Sequence, residues 1–153
     1  MSTIKVDTYL TRGGVSEIAI DKLKGVSSAS SISVVAEGGS TTTNLQQGLA
    51  KCWLLVAADG ASILDSLNVS SHDDDGTGDG GVHINNDMGS VNYVIQLTAD
   101  DGGAGSSVNS IEVTNGTVAA GSFDYENNYV NSASDNRTAF NVIRHIAVLG
   151  DLA

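Results

Sequence analysis

Three features of the sequence predict an all-β protein: an antiparallel β-sandwich or jelly roll preceded by an extended N-terminal arm. Apolar and polar residues alternate with a period of two in several short runs, the spacing that gives a strand one core face and one solvent face. Gly-, Asn- and Asp-rich punctuation separates these runs at roughly 10–15-residue intervals, as in sandwiches. Rings make up only 5% of the chain, so its core must be built from Val, Ile, Leu and Ala, which suit a pleated, half-buried surface. At 153 residues there is material for one domain with a core. With 18 glycines and no proline, glycine carries most of the chain reversals.

Residues 1–31 are polar, broken at Gly13-Gly14 and Gly25, and run through Ser27-Ser28-Ala29-Ser30-Ser31. They read as an arm or anchor ahead of a body at residues 32–153, with a weakly amphipathic helix possible over Ser16–Lys24. Ile32, Val34 and Ala36 then alternate with polar neighbours up to Gly38-Gly39. Cys52–Ala58 is continuously apolar and closed by Asp59-Gly60, which predicts a strand buried on both faces. Ile63–Val69 is a mixed run, and Tyr93, Ile95, Leu97 and Ala99 share one strand face. Asn115-Gly116 between strand-like runs predicts a type I′ hairpin pairing Val113 with Val118 and Ile111 with Ala120. The final run, Ala139–Leu149, is long enough to cross a whole sheet, and its stop at Gly150–Ala153 predicts a pinned C-terminus.

Composition excludes several classes of partner. Eighteen acidic against seven basic residues give a net charge of −11, a field that repels phosphate backbones and anionic lipid. No window approaches the ~18 apolar residues of a membrane span, and the N-terminal residues lack a signal-peptide core, so synthesis in a reducing cytoplasm is expected. Cys52 is the single cysteine, which rules out an intramolecular disulfide and a cysteine metal cluster. Its apolar neighbours predict a buried, inert thiol.

The densest acidic stretch is His72–Gly81. Asp73, Asp75, Thr77 and Asp79 alternate like the ligands that open a calcium loop, with Gly78 sixth, but the twelfth position is Ile84 where a bidentate Glu is needed. A Gly-rich turn joining two strands is the expected structure. His72, His83 and His145 have no spacing that gathers them into a triad or zinc site. No Gly-x-Ser-x-Gly elbow exists, and Gly102-Gly103-Ala104-Gly105-Ser106 lacks the Lys and helix of a phosphate loop. The chain is therefore expected not to be an enzyme and to need no cofactor. Phe123–Tyr129 sets rings beside amides and acids, which makes Tyr125, Asn127 and Tyr129 candidate glycan contacts.

Two longer stretches carry a family resemblance. Val35–Trp53, with Gly48-Leu49-Ala50-Lys51-Cys52-Trp53 at its end, resembles the Gly-Leu-Ala-Lys-Ala-Trp entry to the first core strand in small tail-fibre-like virion proteins of tailed, notably marine, bacteriophages. Asp65–Ser71 followed by Asp74–Asp79 is similar to that family's Ser-Phe-Asn-Val-Ser-Ser and Asp-Asn-Gly-Thr-Gly-Asp block, and Ile146–Asp151 to its last strand and stop. Cys52 stands where the family has alanine, and Gly80-Gly81 where it has an aromatic or β-branched strand start. The resemblance spans about residues 32–153. It implies a homotrimeric, β-rich fibre or knob in the virion, joined to other virion proteins through residues 1–31 and facing the host surface. A capsid decoration, cement or head-fibre protein is the structural alternative; a stand-alone glycan-binding module is the alternative of another class. A polysaccharide depolymerase would need a carboxylate pair in a groove.

Overall fold

The computed structural model describes residues 21–23, 32–36, 39–45, 47–100, 108–130 and 137–153. These residues form eleven strands and no helix. A small antiparallel pair, β1 (Ser33–Val35) with β2 (Thr42–Asn44), precedes the body. The body has two antiparallel sheets in a sandwich-like arrangement. The first is four-stranded, in the order β4 (Ile63–Leu67), β3 (Ala50–Val56), β11 (Arg144–Leu149), β7 (Val94–Ala99). The second is built on β9 (Ser122–Val130). On one side β9 pairs with β6 (Asp79–Ile84), and β6 in turn with β5 (Val69–Gly76); β8 (Val108–Val113) and β10 (Arg137–Ala139) also pair with β9.

Alternation decides what each sheet buries. Cys52, Leu54 and Val56 of β3 and Ile146 and Val148 of β11 face Val82 and Ile84 of β6 and Phe123 and Tyr125 of β9, with Met88 among them. Each such aliphatic side chain contributes roughly 1.5–3 kcal/mol by leaving water. Ile95 and Leu97 of β7 are partly buried against the same cluster. β3 is thus not fully buried on both faces as its unbroken apolar run suggested: Trp53 and Leu55, at the alternate positions, are only half-buried, on the outside of the sheet.

The chain changes sheets at Asn68, between β4 and β5. Asn68 holds a left-handed φ of 57°, a conformation Asn tolerates better than other side-chain-bearing residues. Its amide locks the corner. Nδ2 donates to the carbonyls of Lys51 (3.0 Å) and Asn86 (3.1 Å), and Oδ1 accepts from the Asn86 backbone N–H (2.8 Å).

Two further expectations are corrected. The Asn115-Gly116 hairpin is not the tight one: Val113 pairs with Tyr125 and Ile111 with Asn127. Of the two central residues only Gly116 has positive φ, so the turn is not type I′. The Thr117 hydroxyl supplies the reason, donating to the Thr114 carbonyl (2.9 Å) and accepting from the Asp124 N–H (3.0 Å). It stabilises a wider loop whose Val118 packs on the core margin. The final apolar run does not form one strand either. It splits into β10 and β11 in different sheets, because polar Asn141 anchors the crossing with its own side chain. Asn141 Oδ1 accepts from the Gly78 N–H (2.8 Å) and from Arg144 Nη2 (2.7 Å), and its Nδ2 donates to the Asp59 carbonyl (3.1 Å).

Residues 151–153 are tied down. The Gly89 N–H donates to the Asp151 carbonyl (2.8 Å) and the Ala153 N–H to that of Asp87 (3.0 Å). Of the proposed arm, Asp21–Leu23 are exposed and non-helical; the rest of the Ser16–Lys24 helix, and most of residues 1–31, lie outside the described residues. So does the Gly102–Ser106 loop.

Candidate functional site: an apolar face and an acidic face

The register of the four-stranded sheet places its outward side chains in rows. Leu67, Trp53, Ala147 and Gln96 form one row across β4, β3, β11 and β7; Asp65, Leu55, His145 and Thr98 form the next; Leu149 and Val94 pair at one end. Leu67 and Val94 are about half exposed (49% and 58%), and so are Ile63 and Leu64 on the edge strand β4, beyond a bulge that shifts its register with β3. A shallow groove of about 450 Å³ runs between β7 and β11, lined by Gln96, Thr98, His145 and Ala147 among others. In these rows the ionisable groups are Asp65 and His145, whose ring lies 3.3 Å from Asp100. The face is mixed, with Leu67 and Val94 exposed, Trp53, Leu55 and Ala147 half-buried, and Asp65, His145, Gln96 and Thr98 polar; exposed apolar side chains on such a face make it the candidate interaction face.

The outer face of the five-stranded sheet has the opposite character. Asp73, Gly81 and Asp124 form one row, and Asp79, Glu126 and Glu112 the next. His83 Nε2 meets Asp73 Oδ2 at 2.7 Å, and Arg137 bridges Glu112 and Glu126. A cleft of about 240 Å³ beside them is lined by Asp75, Asp79, Asp124 and Glu126 with Gly80, Thr114 and Tyr125. Six of the chain's 18 acids share this face.

The four residues proposed as calcium ligands do not wrap around one point. Asp73 and Asp75 sit on β5, Thr77 at the turn and Asp79 on β6, so the segment is the expected turn between strands. Alternate residues on an extended strand are about 7 Å apart, whereas calcium ligands converge to about 2.3–2.6 Å from the ion. Among the described residues no group of three or more His, Cys, Asp or Glu is arranged to hold a metal.

The proposed glycan contacts are also corrected. Tyr125 (1% exposed) and Asn127 (0%) point into the core, and the half-buried Tyr129 packs edge-on against Phe140 with ring centres 5.2 Å apart. Phe123–Tyr129 is all strand (β9), so alternate rings face inward; the ring-rich string is a core strand, not a stacking platform. The histidines remain apart, His72 with Tyr125, His83 with Asp73 and His145 with Asp100.

What the sequence did not flag is a polar cluster inside one end of the sandwich. Arg144 is fully buried, its Cζ 5.6 Å from the centre of the Tyr125 ring. Nη2 donates to Asn141 Oδ1, while Nε and Nη1 have no hydrogen-bond partner among the described residues. His72 Nε2 lies 2.8 Å from the Tyr125 hydroxyl, and the rings stack at 5.9 Å. Burial pushes the Tyr125 hydroxyl up to about 12 despite the guanidinium beside it. Gly80 of β6 borders this cluster: a Cβ there would come 2.7 Å from His72 Nε2 and 2.9 Å from the Tyr125 hydroxyl. The signal for Arg144 was available: it shares parity with Val142, Ile146 and Val148, the inward positions of its run.

Comparison with protein-family models, with curated proteins and with solved structures finds no match for this chain.

Proposed function

We propose that this chain is a structural protein of a bacteriophage virion, a fibre or knob module that assembles and binds rather than catalyses, attached through residues 1–31. The stretches Val35–Trp53, Asp65–Asp79 and Ile146–Asp151 support the virion reading by their resemblance to small tail-fibre-like proteins. The observation that carries the assembly reading is the contrast between the two outer faces. In a chain of net charge −11, like-charged copies meet at least cost where charge is sparse, and the Leu67–Trp53–Ala147 row supplies that place. The acidic face is left toward solvent, where it favours solubility at high local concentration.

The homotrimer rests on the resemblance; four strands about 4.8 Å apart and about 20 Å long offer a face on the order of 400 Å² per copy. The reading is tested by imaging intact particles carrying a tagged chain, together with a sedimentation mass for the purified protein. A tail-tip or fibre position and a mass three times the 15.6 kDa chain support it. A single-chain mass in dilute solution sinks the trimer, a position spread over the head replaces the fibre by a decoration protein, and absence from the particle removes the virion reading.

A further inference from the structure

The buried end of the sandwich goes beyond the assembly reading, because its charges are arranged in a way that packing alone does not require. His72 of β5 is half-buried and held between three elements: Tyr125 of β9 at 2.8 Å, the position of Gly80 on β6, and the Ala57–Ser62 connection, whose Ala61 backbone it contacts. Beyond Tyr125 lies Arg144, a buried guanidinium whose side-chain hydrogen bonds go to the Asn141 amide and the Phe140 carbonyl, both neutral. Arg is rarely buried completely without a counter-ion, and an uncompensated charge in the interior is costly.

The charged groups around the ring are few. On its own strand Asp73 is engaged by His83, and Asp74 is exposed. Gly80 brings no side chain, and Tyr125 stays neutral below alkaline pH. The acid of the neighbouring connection, Asp59, is held by the Ser62 hydroxyl (2.6 Å) and by the Ala61 and Ser62 N–H groups. Asp75 lies on the outer side, toward Gly81. Among the described residues, the hydrogen bonds and ion pairs of His72 and Arg144 involve no carboxylate.

We propose that His72 is an acid-operated latch: when its ring takes up a proton, two cations share one end of the core, and the β5–β6 hairpin loosens from the 57–62 and 140–143 connections. The hairpin meets these two connections chiefly through Asn141, which bonds Gly78 and Asp59, and through the His72–Ala61 contact, while the His72–Tyr125 contact ties it to β9, so the latch acts locally before the sheets themselves separate. The His72 ring is held below its ordinary value, first by burial and then by Arg144, with the Ala61 backbone, Asp73 and Asp74 pulling it back up. A folded-state value below the unfolded one means that the opened form binds the proton more readily. Stability of this end is therefore full above about pH 6.5 and falls as the pH drops through that value, until the folded ring itself titrates.

Hydrogen exchange followed by mass spectrometry on the full chain tests this. At pH 7.5, 6.5 and 5.5, with intrinsic exchange rates divided out, peptides covering 57–62, 72–80 and 140–144 are expected to open up to about tenfold more per pH unit below 6.5, the limit for one linked proton. Peptides from β3 and the middle of β9 should not change. His72→Gln is expected to abolish the rise, while His83→Gln and His145→Gln keep it. Opening that is independent of pH, that persists in His72→Gln, or that vanishes in His83→Gln overturns the latch. Should His72→Gln fail to fold, NMR titration of the His72 ring in the unmodified protein decides: a folded-state pKa below 6.5 supports the latch and one at or above 6.5 overturns it.

Discussion

Replacing Gly80 by alanine adds a single methyl group to the inward face of β6, where three atoms already crowd the space. The new Cβ would stand 2.7 Å from His72 Nε2, 2.9 Å from the Tyr125 hydroxyl and 3.0 Å from the Asp73 carbonyl. The last of these is backbone of the paired strand and the first two are held by each other, so none yields easily. Overpacking of this kind costs about 1–3 kcal/mol, and parting His72 from Tyr125 adds about 0.5–1.5 kcal/mol. Against this, alanine lowers the entropy of the unfolded chain and returns about 0.4–1 kcal/mol. The net expectation is a loss of about 2 kcal/mol, equivalent to a Tm lower by roughly 4–8 °C in a domain of this size. Gly81→Ala is the matched control, one residue along the same strand. Its Cβ would face outward and meet the Asp124 carboxylate at 3.1 Å, a side chain that can move. It should be neutral or slightly stabilising. Thermal and urea unfolding by far-UV circular dichroism, at one fixed protein concentration because an assembling protein has a concentration-dependent Tm, reads both. If Gly80→Ala and Gly81→Ala fall within about 0.5 kcal/mol of each other, the crowded inward cluster is not what keeps residue 80 small.

The apolar face makes a second prediction: Leu55→Asp places a carboxylate beside the Trp53–Ala147 row, between Asp65 and His145, and the sedimentation mass should fall to one chain while the far-UV spectrum stays unchanged. Cys52 is fully buried and its thiol is pushed up to about 11 by that burial. A thiol reagent at pH 8 should therefore leave the native protein unmodified and react only as denaturant unfolds it; immediate labelling would refute the buried thiol. Tyr125 predicts an alkaline limit. Its folded-state value, near 12, exceeds the unfolded value of about 10, so its contribution is full below pH 10 and is lost as the pH rises from 10 toward 12. The Tm should drop over that interval, and Tyr125→Phe should remove that part of the drop.

Legibility in the sequence followed how local each cause was. The strands at Ser33–Val35, Ala50–Val56, Ile63–Leu67 and Val94–Ala99 were readable because alternation and Gly- or Asp-containing turns are properties of neighbouring residues. The acidic stretch was readable as a turn for the same reason. The hairpin register at Asn115-Gly116 was not, because the hydroxyl of Thr117, the residue after the pair, competes for the same backbone groups. The Phe123–Tyr129 rings misled because ring-plus-amide composition does not say which face of a strand a residue takes, and the inward face took Phe123, Tyr125 and Asn127.

The sequence by itself determined the all-β class, the positions of most strands, the buried thiol and the net negative charge, since each follows from composition or a period-two pattern. Only the tertiary structure decided that the final apolar run divides between two sheets at Asn141. It also decided that six of the acids share one outer face while Leu67, Trp53, Leu55 and Ala147 share the other. Above all it brought His72, Tyr125 and Arg144 together from three strands far apart in the chain. Cross-strand register sets those neighbours, and register depends on which strands pair, a choice made by burying the whole core at once and written in no single segment.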